Sequence, residues 1–232
     1  MEEALPSLLI EVMIRPRLGD FNYSKDELDV MLEDIASFKE LGVRGFVVGV
    51  LTEDGRVDVE TMKRLIDVIL PLEVCFHRAF DMTPDPEEAL RDIIEIGGIS
   101  RVLTSGHGQK VPQSLPVIER LFDVAKSLIE AEVWGLTVMP GSGINSKNIT
   151  PVVEQLLPKG LREIHLSGGA WSRSTMQFQK DGMDMGCSPE HEWVIWKTKE
   201  KEIKRVRYGA DLAWDKYWDA LSANEDHDEV EN

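Results

Sequence analysis

The feature that most restricts this chain is a repeated couplet. A short apolar run is followed by a segment with helical spacing, with a period of about 30 residues, as successive right-handed βαβ crossovers require. "LLIEVMIRP" (8–16) reads as a strand and "SKDELDVMLEDIASFKELG" (24–42) as a helix. In that helix Leu28, Met31, Leu32, Ile35, Phe38 and Leu41 recur at steps of three and four. Ser24 with Glu27 forms a capping-box signature, and Gly42 ends the run. "GFVVGVL" (45–51) then precedes "DVETMKRLIDVIL" (58–70), and "EVCFHRAF" (73–80) precedes "DPEEALRDIIEIG" (85–97). "RVLTSG" (101–106) precedes "PQSLPVIERLFDVAKSLIE" (112–130), and "EVWGLTVM" (132–139) precedes "NSKNITPVVEQLL" (145–157). "REIHLSGG" (162–169) is the sixth strand.

The expected fold class is therefore α/β with six parallel strands. Six suit an open doubly wound sheet or an incomplete TIM-barrel-like (β/α) barrel, since a closed one needs eight strands and about 250 residues. One domain is expected over residues 1–221. In it, 170–206 form a long polar connection and "GADLAWDKYWDAL" (209–221) a final helix over one end of the sheet. Residues 222–232, with five acidic side chains, are expected to be a frayed, disordered tail.

The net charge is −16, which disfavours nucleic acid and anionic membranes as whole-surface partners. It leaves room for a local basic pocket. Two cysteines, Cys75 and Cys187, make no disulfide framework. With no charged-then-apolar leader and no apolar run near the ~18 residues of a membrane span, the expected location is the reducing cytoplasm.

Polar residues gather where the apolar runs end. "IRPRLGDF" (14–21) carries Arg15 and Arg17, which share the strand parity of Glu11 and Met13 and are suited to bidentate contact with a carboxylate or phosphate. The plainer role for them is a structural ion pair with Glu11, Asp20 or Asp81. "CFHRAFD" supplies Cys75, His77, Arg78 and Asp81. His77 suits acid–base work near neutral pH, against the plainer role of a core histidine. Thr104 and Ser105 add hydroxyls, and His165, Ser167 and Gly168 follow on the last strand. In "MPGSGINSKN" (139–148), Gly141, Ser142 and Gly143 run toward a helix start. That arrangement can cradle an anion or merely make a tight turn. Soft donors are Cys75, expected to be buried and inert, and Met183, Met185 and Cys187 in "GMDMGCSPEH". These would suit Cu(I), or would simply pack their loop. The sequence contains no GxGxxG, Walker-type loop, HExxH or GxSxG.

"IRPRLGDFNYS", "FVVGVLTEDGRVD", "FHRAFDM", "RVLTSG", "GSGI" and "EIHLSGGAW", in this order, closely resemble the CutC family over residues 8–186. The resemblance implies a TIM-barrel fold, an intracellular setting and a link to copper. It maps the family's rim onto Arg15, Arg17, His77, Arg78, Asp81, Thr104, Ser105, Gly141, Gly143, His165 and Ser167. "LLIEVMIRPR" corresponds to the family's third strand, so two further strands are expected to be missing, leaving a gap between it and "REIHLS". Three readings follow. The first is a copper homeostasis protein binding Cu(I) through Cys75, Met183, Met185 or Cys187. The second is a barrel enzyme or binding protein for a small anionic or phosphorylated metabolite, a lyase or isomerase by fold analogy, with His77, His165 and Asp81 catalytic. The third is a shortened, inactive paralogue. A homo-oligomer is compatible with each.

Overall fold

The computed structural model describes residues 10–129, 135–180, 182–183, 186 and 188–228. They divide into two compact units. The first runs to Gly143 and resumes over Leu156–His165, and the second comprises Ile144–Gln155 and the residues from Leu166 onward.

The first unit is the repeated couplet made real. Strands β1 (Glu11–Met13), β2 (Gly45–Val48), β3 (Glu73–Phe76), β4 (Arg101–Thr104) and β5 (Thr137–Pro140) alternate with helices α1 (Lys25–Glu40), α2 (Val59–Ile69), α3 (Pro86–Ile96) and α4 (Leu115–Ile129). The strands pair in chain order and all in parallel, with Val12 opposite Phe46 and Phe46 opposite Val74. The helices begin where their sequences say. Ser24 Oγ accepts from the Glu27 N–H while Glu27 Oε2 accepts from the Ser24 N–H, the two halves of the capping box. Asp58 caps α2 through the Thr61 N–H, and Asp85 caps α3 ahead of Pro86.

Alternation along the strands sorts the side chains. Phe46, Val48, Val74, Phe76 and Val102 are wholly buried, as are the helix residues Met31, Ile35, Met62, Leu90, Ile93 and Ile118. Burying each large side chain is worth about 1.5–3 kcal/mol, and this apolar layer carries the fold. The opposite parity holds Cys75, His77, Arg101 and Leu103. At the amino ends of the strands it forms an ionic cluster that the sequence did not announce. Arg101 Nε donates to Glu163 at 2.6 Å, its Nη1 bonds Glu73 and reaches Glu11 at 3.3 Å, and Arg44 Nε donates to Glu73 at 2.7 Å.

The sheet differs from the six-strand expectation. The sixth segment contributes one parallel bridge, Gly141 to His165, with the His165 N–H donated to the Pro140 carbonyl at 2.9 Å. Past it the chain leaves the first unit. Among the described residues no strand pairs with the outer edge of β1, where Met13 is half exposed.

In the second unit the expected long connection is structured. Strands β6 (Gly169–Arg173) and β7 (Val194–Thr198) form an antiparallel pair with Trp171 opposite Trp196. "WVIWK" has the aromatic and β-branched residues of a strand, but a long intervening segment without a tight-turn signature concealed the pairing. Helix α6 (Glu200–Asp228) starts nine residues earlier than expected. Glu202, in its first turn, accepts from the Ser146 N–H at 2.7 Å and so caps the segment leading into α5 (Ile149–Leu156). Gly209 lies against α5, where an added Cβ would come within 2.7 Å of Ile149 Cγ2.

Candidate functional site

The carboxyl ends of the first unit's strands surround a cavity of about 940 Å³. Its walls include Met13, Arg15, Phe21, Leu51, His77, Arg78, Asp81, Leu103 and His165. His77 and His165, 88 residues apart in the chain, therefore stand on one cavity.

His77 leaves β3 and caps a 3-10 turn, Arg78–Met82. Its Nδ1 accepts from the Ala79 N–H at 3.2 Å. That bond fixes the tautomer of the neutral ring, because a nitrogen that accepts carries no proton, so the hydrogen sits on Nε2. Nε2 is buried and has no hydrogen-bond partner among the described residues. Burial, with Arg15 adding to it, pushes the His77 pKa down to about 4. At physiological pH His77 is thus a neutral, oriented donor. This differs from the residue titrating near neutrality expected from its type, and the cause is its 2 % exposure.

The space for that ring comes from Gly49. A Cβ at Gly49 would lie 2.5 Å from His77 Nδ1 and Cε1. Gly49 is the site residue that sequence reasoning missed, and its signal was a lone glycine inside a strand pattern, "VVGV".

Arg15 and Arg17 have separate fates. Arg17 Nε donates to Glu27 at 2.5 Å, and its Nη2 donates to Asp20 at 2.9 Å and to the Asn22 carbonyl at 2.8 Å. Holding the capping-box glutamate and the loop before α1, it is a structural residue. Arg15 has no carboxylate partner among the described residues; it donates Nη2 to the Gly19 carbonyl at 2.9 Å and lies over the Phe21 ring at 4.5 Å. Its Nε is buried without a well-aligned acceptor among the described residues; the guanidinium also interacts with the Tyr23 hydroxyl, itself buried. Phe21 in turn lies 5.0 Å from the His77 ring.

Asp81 is the hub of the next two loops. It accepts from Thr104 Oγ1 at 2.6 Å, the Ser105 N–H at 3.0 Å, the His107 N–H at 3.2 Å and Arg78 Nε at 2.7 Å. Burial is the largest influence on its pKa and raises it. The hydrogen bonds from Thr104, Ser105 and Arg78 together outweigh burial and hold the carboxyl below its ordinary range. Asp81 is accordingly an ionised anchor with its oxygens engaged. His107, not anticipated, adopts a left-handed φ of 58°, held by its N–H bond to Asp81 and by edge-on packing against Phe80.

His165 stands exposed at the rim, and the protein around part of its ring lowers its pKa. Gly141 lies beneath it and donates its N–H to the Thr104 carbonyl at 2.8 Å. Ser142 Oγ donates to the Gln109 carbonyl at 2.9 Å, so two donors of the anticipated anion cradle are already engaged. Gly143 has a left-handed φ of 73° and packs near Lys110. Ser167 and Gly168 belong to the second unit, where the Ser167 carbonyl accepts from Thr198 Oγ1.

The soft donors are dispersed. Cys75 is buried, its Sγ directed to the Phe76 carbonyl, and burial followed by Glu11 pushes the thiol up to about 12. Met183 is exposed in the second unit, with its N–H on Glu192. Met185 and Cys187 lie outside the described residues.

The model of the CutC family matches residues 2–170. A mouse protein named copper homeostasis protein cutC homolog is 41 % identical over 84 % of this chain and 67 % of its own length. A family protein CutC of Chromobacterium violaceum is 36 % identical over 89 % of this chain and 79 % of its own. The crystal structure of the copper homeostasis protein CutC from Streptococcus agalactiae superposes with a TM-score of 0.59 at 28 % identity, covering 67 % of this chain and 70 % of that one. The fold is TIM-barrel-like α/β. On motif order, sequence identity and fold together, this chain belongs to the CutC family.

Proposed function

We propose that this chain is a copper homeostasis protein of CutC type, and that its working site is the cavity of the first unit, which takes a small anion. Kinship supports the first half, since the mouse relative carries that name. One observation carries the second. Two residues of the cavity wall, Arg15 and His77, each carry a buried nitrogen, Nε and Nε2, that has no well-aligned acceptor among the described residues. Leaving a buried donor unsatisfied costs about 1–3 kcal/mol, more for a charged group, and an incoming oxygen acceptor recovers it. Arg15 and His77 are the ligand-binding pair in this reading. Arg78, Asp81, Thr104 and Ser105 brace the turn that follows His77, Arg17 holds the loop that follows Arg15, and His165 faces the ligand from the rim.

Copper enters as cargo, and the cavity's donors do not fit it. The Arg15 cation opposes another cation. His77 would have to give up its bond from Ala79 to turn a bare Nε2 toward a metal, and Cys75 stays a protonated thiol at neutral pH. Direct Cu(I) capture would fall to Met183, Met185 and Cys187. The two-cysteine composition suits the cytoplasm, and no helix of the described residues is long and apolar enough to cross a membrane.

Thermal unfolding with sulfate, phosphate or acetate present tests the anion site. A rise in melting temperature that Arg15→Ala removes is expected, and the same rise in both proteins refutes the site. Competition with a Cu(I) chelator, in the wild type and in Cys75→Ser and Cys187→Ser, tests the cargo. Affinity that falls with Cys75→Ser would overturn the assignment of Cys75 as inert packing.

A further inference from the structure

The anion reading of the cavity can be narrowed by counting its charges and donors. The charged lining residues are Arg15, Asp20, Glu53, Arg78 and Asp81. Arg78 is matched by Asp81, and Asp20 is held by Arg17. What remains is one guanidinium without a carboxylate partner, Arg15, in a cavity that also contains the Glu53 carboxylate. Arg15 can pair directly with one negative charge, and Glu53 disfavours a second. A phosphate near its second ionisation would place nearly two beside Glu53 and Asp81.

The donors are directional. Arg15 spends part of Nη2 on the Gly19 carbonyl and keeps Nε free. A guanidinium edge takes a carboxylate through both of its oxygens. That leaves the Nε2–H of His77 still without an acceptor, 2 % exposed, and fixed as a donor by the bond that Ala79 makes to Nδ1. A ligand that satisfies both groups needs a third oxygen beside its carboxylate. Met13, Leu51, Met82 and Leu103 supply the apolar part of the wall, which suits a short hydrocarbon tail, and Asn22, Thr52 and His165 the polar remainder. Phe21 lies against both Arg15 and His77 and stands at the contact.

We propose that this cavity recognises a small monocarboxylate with an oxygen on the adjacent carbon, a 2-oxo or 2-hydroxy acid with a short apolar tail. Arg15 takes the carboxylate and His77 Nε2–H the neighbouring oxygen, as the Phe21 ring turns aside. This rests on the anion reading above and goes further, by assigning specificity to a neutral histidine. Gly49 acts behind it as a positioning residue, since only the absence of a Cβ there lets the ring sit where it does.

Calorimetric titration of the full chain with 2-oxobutyrate, 2-hydroxybutyrate, butyrate and inorganic phosphate tests this. The two oxygen-bearing acids are expected to bind about tenfold more tightly than butyrate, the worth of one well-made buried hydrogen bond, and phosphate more weakly than either. His77→Phe is expected to erase that preference while butyrate still binds. Equal affinity for butyrate and 2-oxobutyrate, an unchanged preference in His77→Phe, or tightest binding of phosphate overturns this inference and leaves the anion site standing. No binding of any of the four overturns both. Should His77→Phe fail to fold, the ring ¹⁵N spectrum of the wild type decides. The proton is expected on Nε2, whose resonance moves with 2-oxobutyrate and not with butyrate, and a proton found on Nδ1 refutes the proposal.

Discussion

His77 makes the fold sensitive to acid in a calculable way. In the unfolded chain its imidazole titrates near 6.5, and in the folded protein burial moves this to about 4. Between those values the unfolded chain binds a proton that the folded protein refuses, so stability falls as pH falls. At about pH 5 the unfolded ring is nearly all charged and the folded ring nearly all neutral, and the proton-binding ratio gives a loss of about 2 kcal/mol relative to pH 7.5. The loss levels off at about 3 kcal/mol below the folded pKa. Other groups titrate in the same range, so the quantity to measure is a double difference. Urea unfolding of the wild type and of His77→Gln is followed at about pH 7.5 and about pH 5. The variant keeps a polar side chain of similar reach but cannot titrate, and should lack about 2 kcal/mol of the wild type's acid sensitivity. Curves that stay parallel, or a His77 ring whose NMR shift titrates near 6.5, would show that burial does not hold this ring neutral. The fixed-donor argument would fail with it.

Four further outcomes follow from the same geometry. Gly49→Ala should cost about 1–3 kcal/mol, because the new Cβ would sit 2.5 Å from the His77 ring, and should weaken anion binding in calorimetry. Asp81→Asn should lower the urea midpoint by the equivalent of about 2–4 kcal/mol, since one substitution weakens the bonds from Arg78, Thr104, Ser105 and His107 together. Arg101→Met should cost about 1–3 kcal/mol at neutral pH by leaving Glu11 and Glu163 uncompensated and Glu73 to Arg44 alone; Glu11 already has its pKa raised, by burial first, so part of that loss should return on mild acidification. Cys75 should resist iodoacetamide at about pH 8 until denaturant is added, because its thiol is buried and ionises only near 12. Rapid labelling of the native protein at that position would refute its burial.

The sequence made the first unit readable because periodicity and caps are local. Ser24 with Glu27, Asp58 and Asp85 each mark a helix start within a few residues, and the strands between them are apolar on the parity that faces the helices. The sixth segment departs from expectation for the same reason. "REIHLSGG" has a strand's composition, yet a ladder needs a partner along its whole length, and pairing ends at His165. The ionic cluster around Arg101 was not readable, because Arg101 lies as much as 90 residues from its partners and only the strand register brings them together. Family motifs marked loops that line the cavity without distinguishing the roles inside them. Asp81 and His77 both stand in "FHRAFD", and the difference between an ionised anchor and a neutral donor lies in which backbone groups reach each one.

The contrast between Arg15 and Arg17 shows why residue type underdetermines a site. Both belong to "IRPRLGDF", two positions apart, and either could have held an anion. Arg17 falls within reach of Glu27, which the capping box had already aimed at the start of α1, so its charge is spent on fixing the loop. That loop presents Phe21 and the Gly19 carbonyl to Arg15, which orient the second guanidinium without neutralising it. The structural arginine therefore creates the conditions for the one proposed to bind the anion. Arg17→Ala should weaken anion binding without touching the ligand, by loosening the 18–22 turn, and supplying the anion at saturating concentration should recover part of the stability lost. If Arg17→Ala binds anions as the wild type does, the turn is not what holds Arg15 in place, and the orientation of its guanidinium must come from the Phe21 ring and the sheet alone.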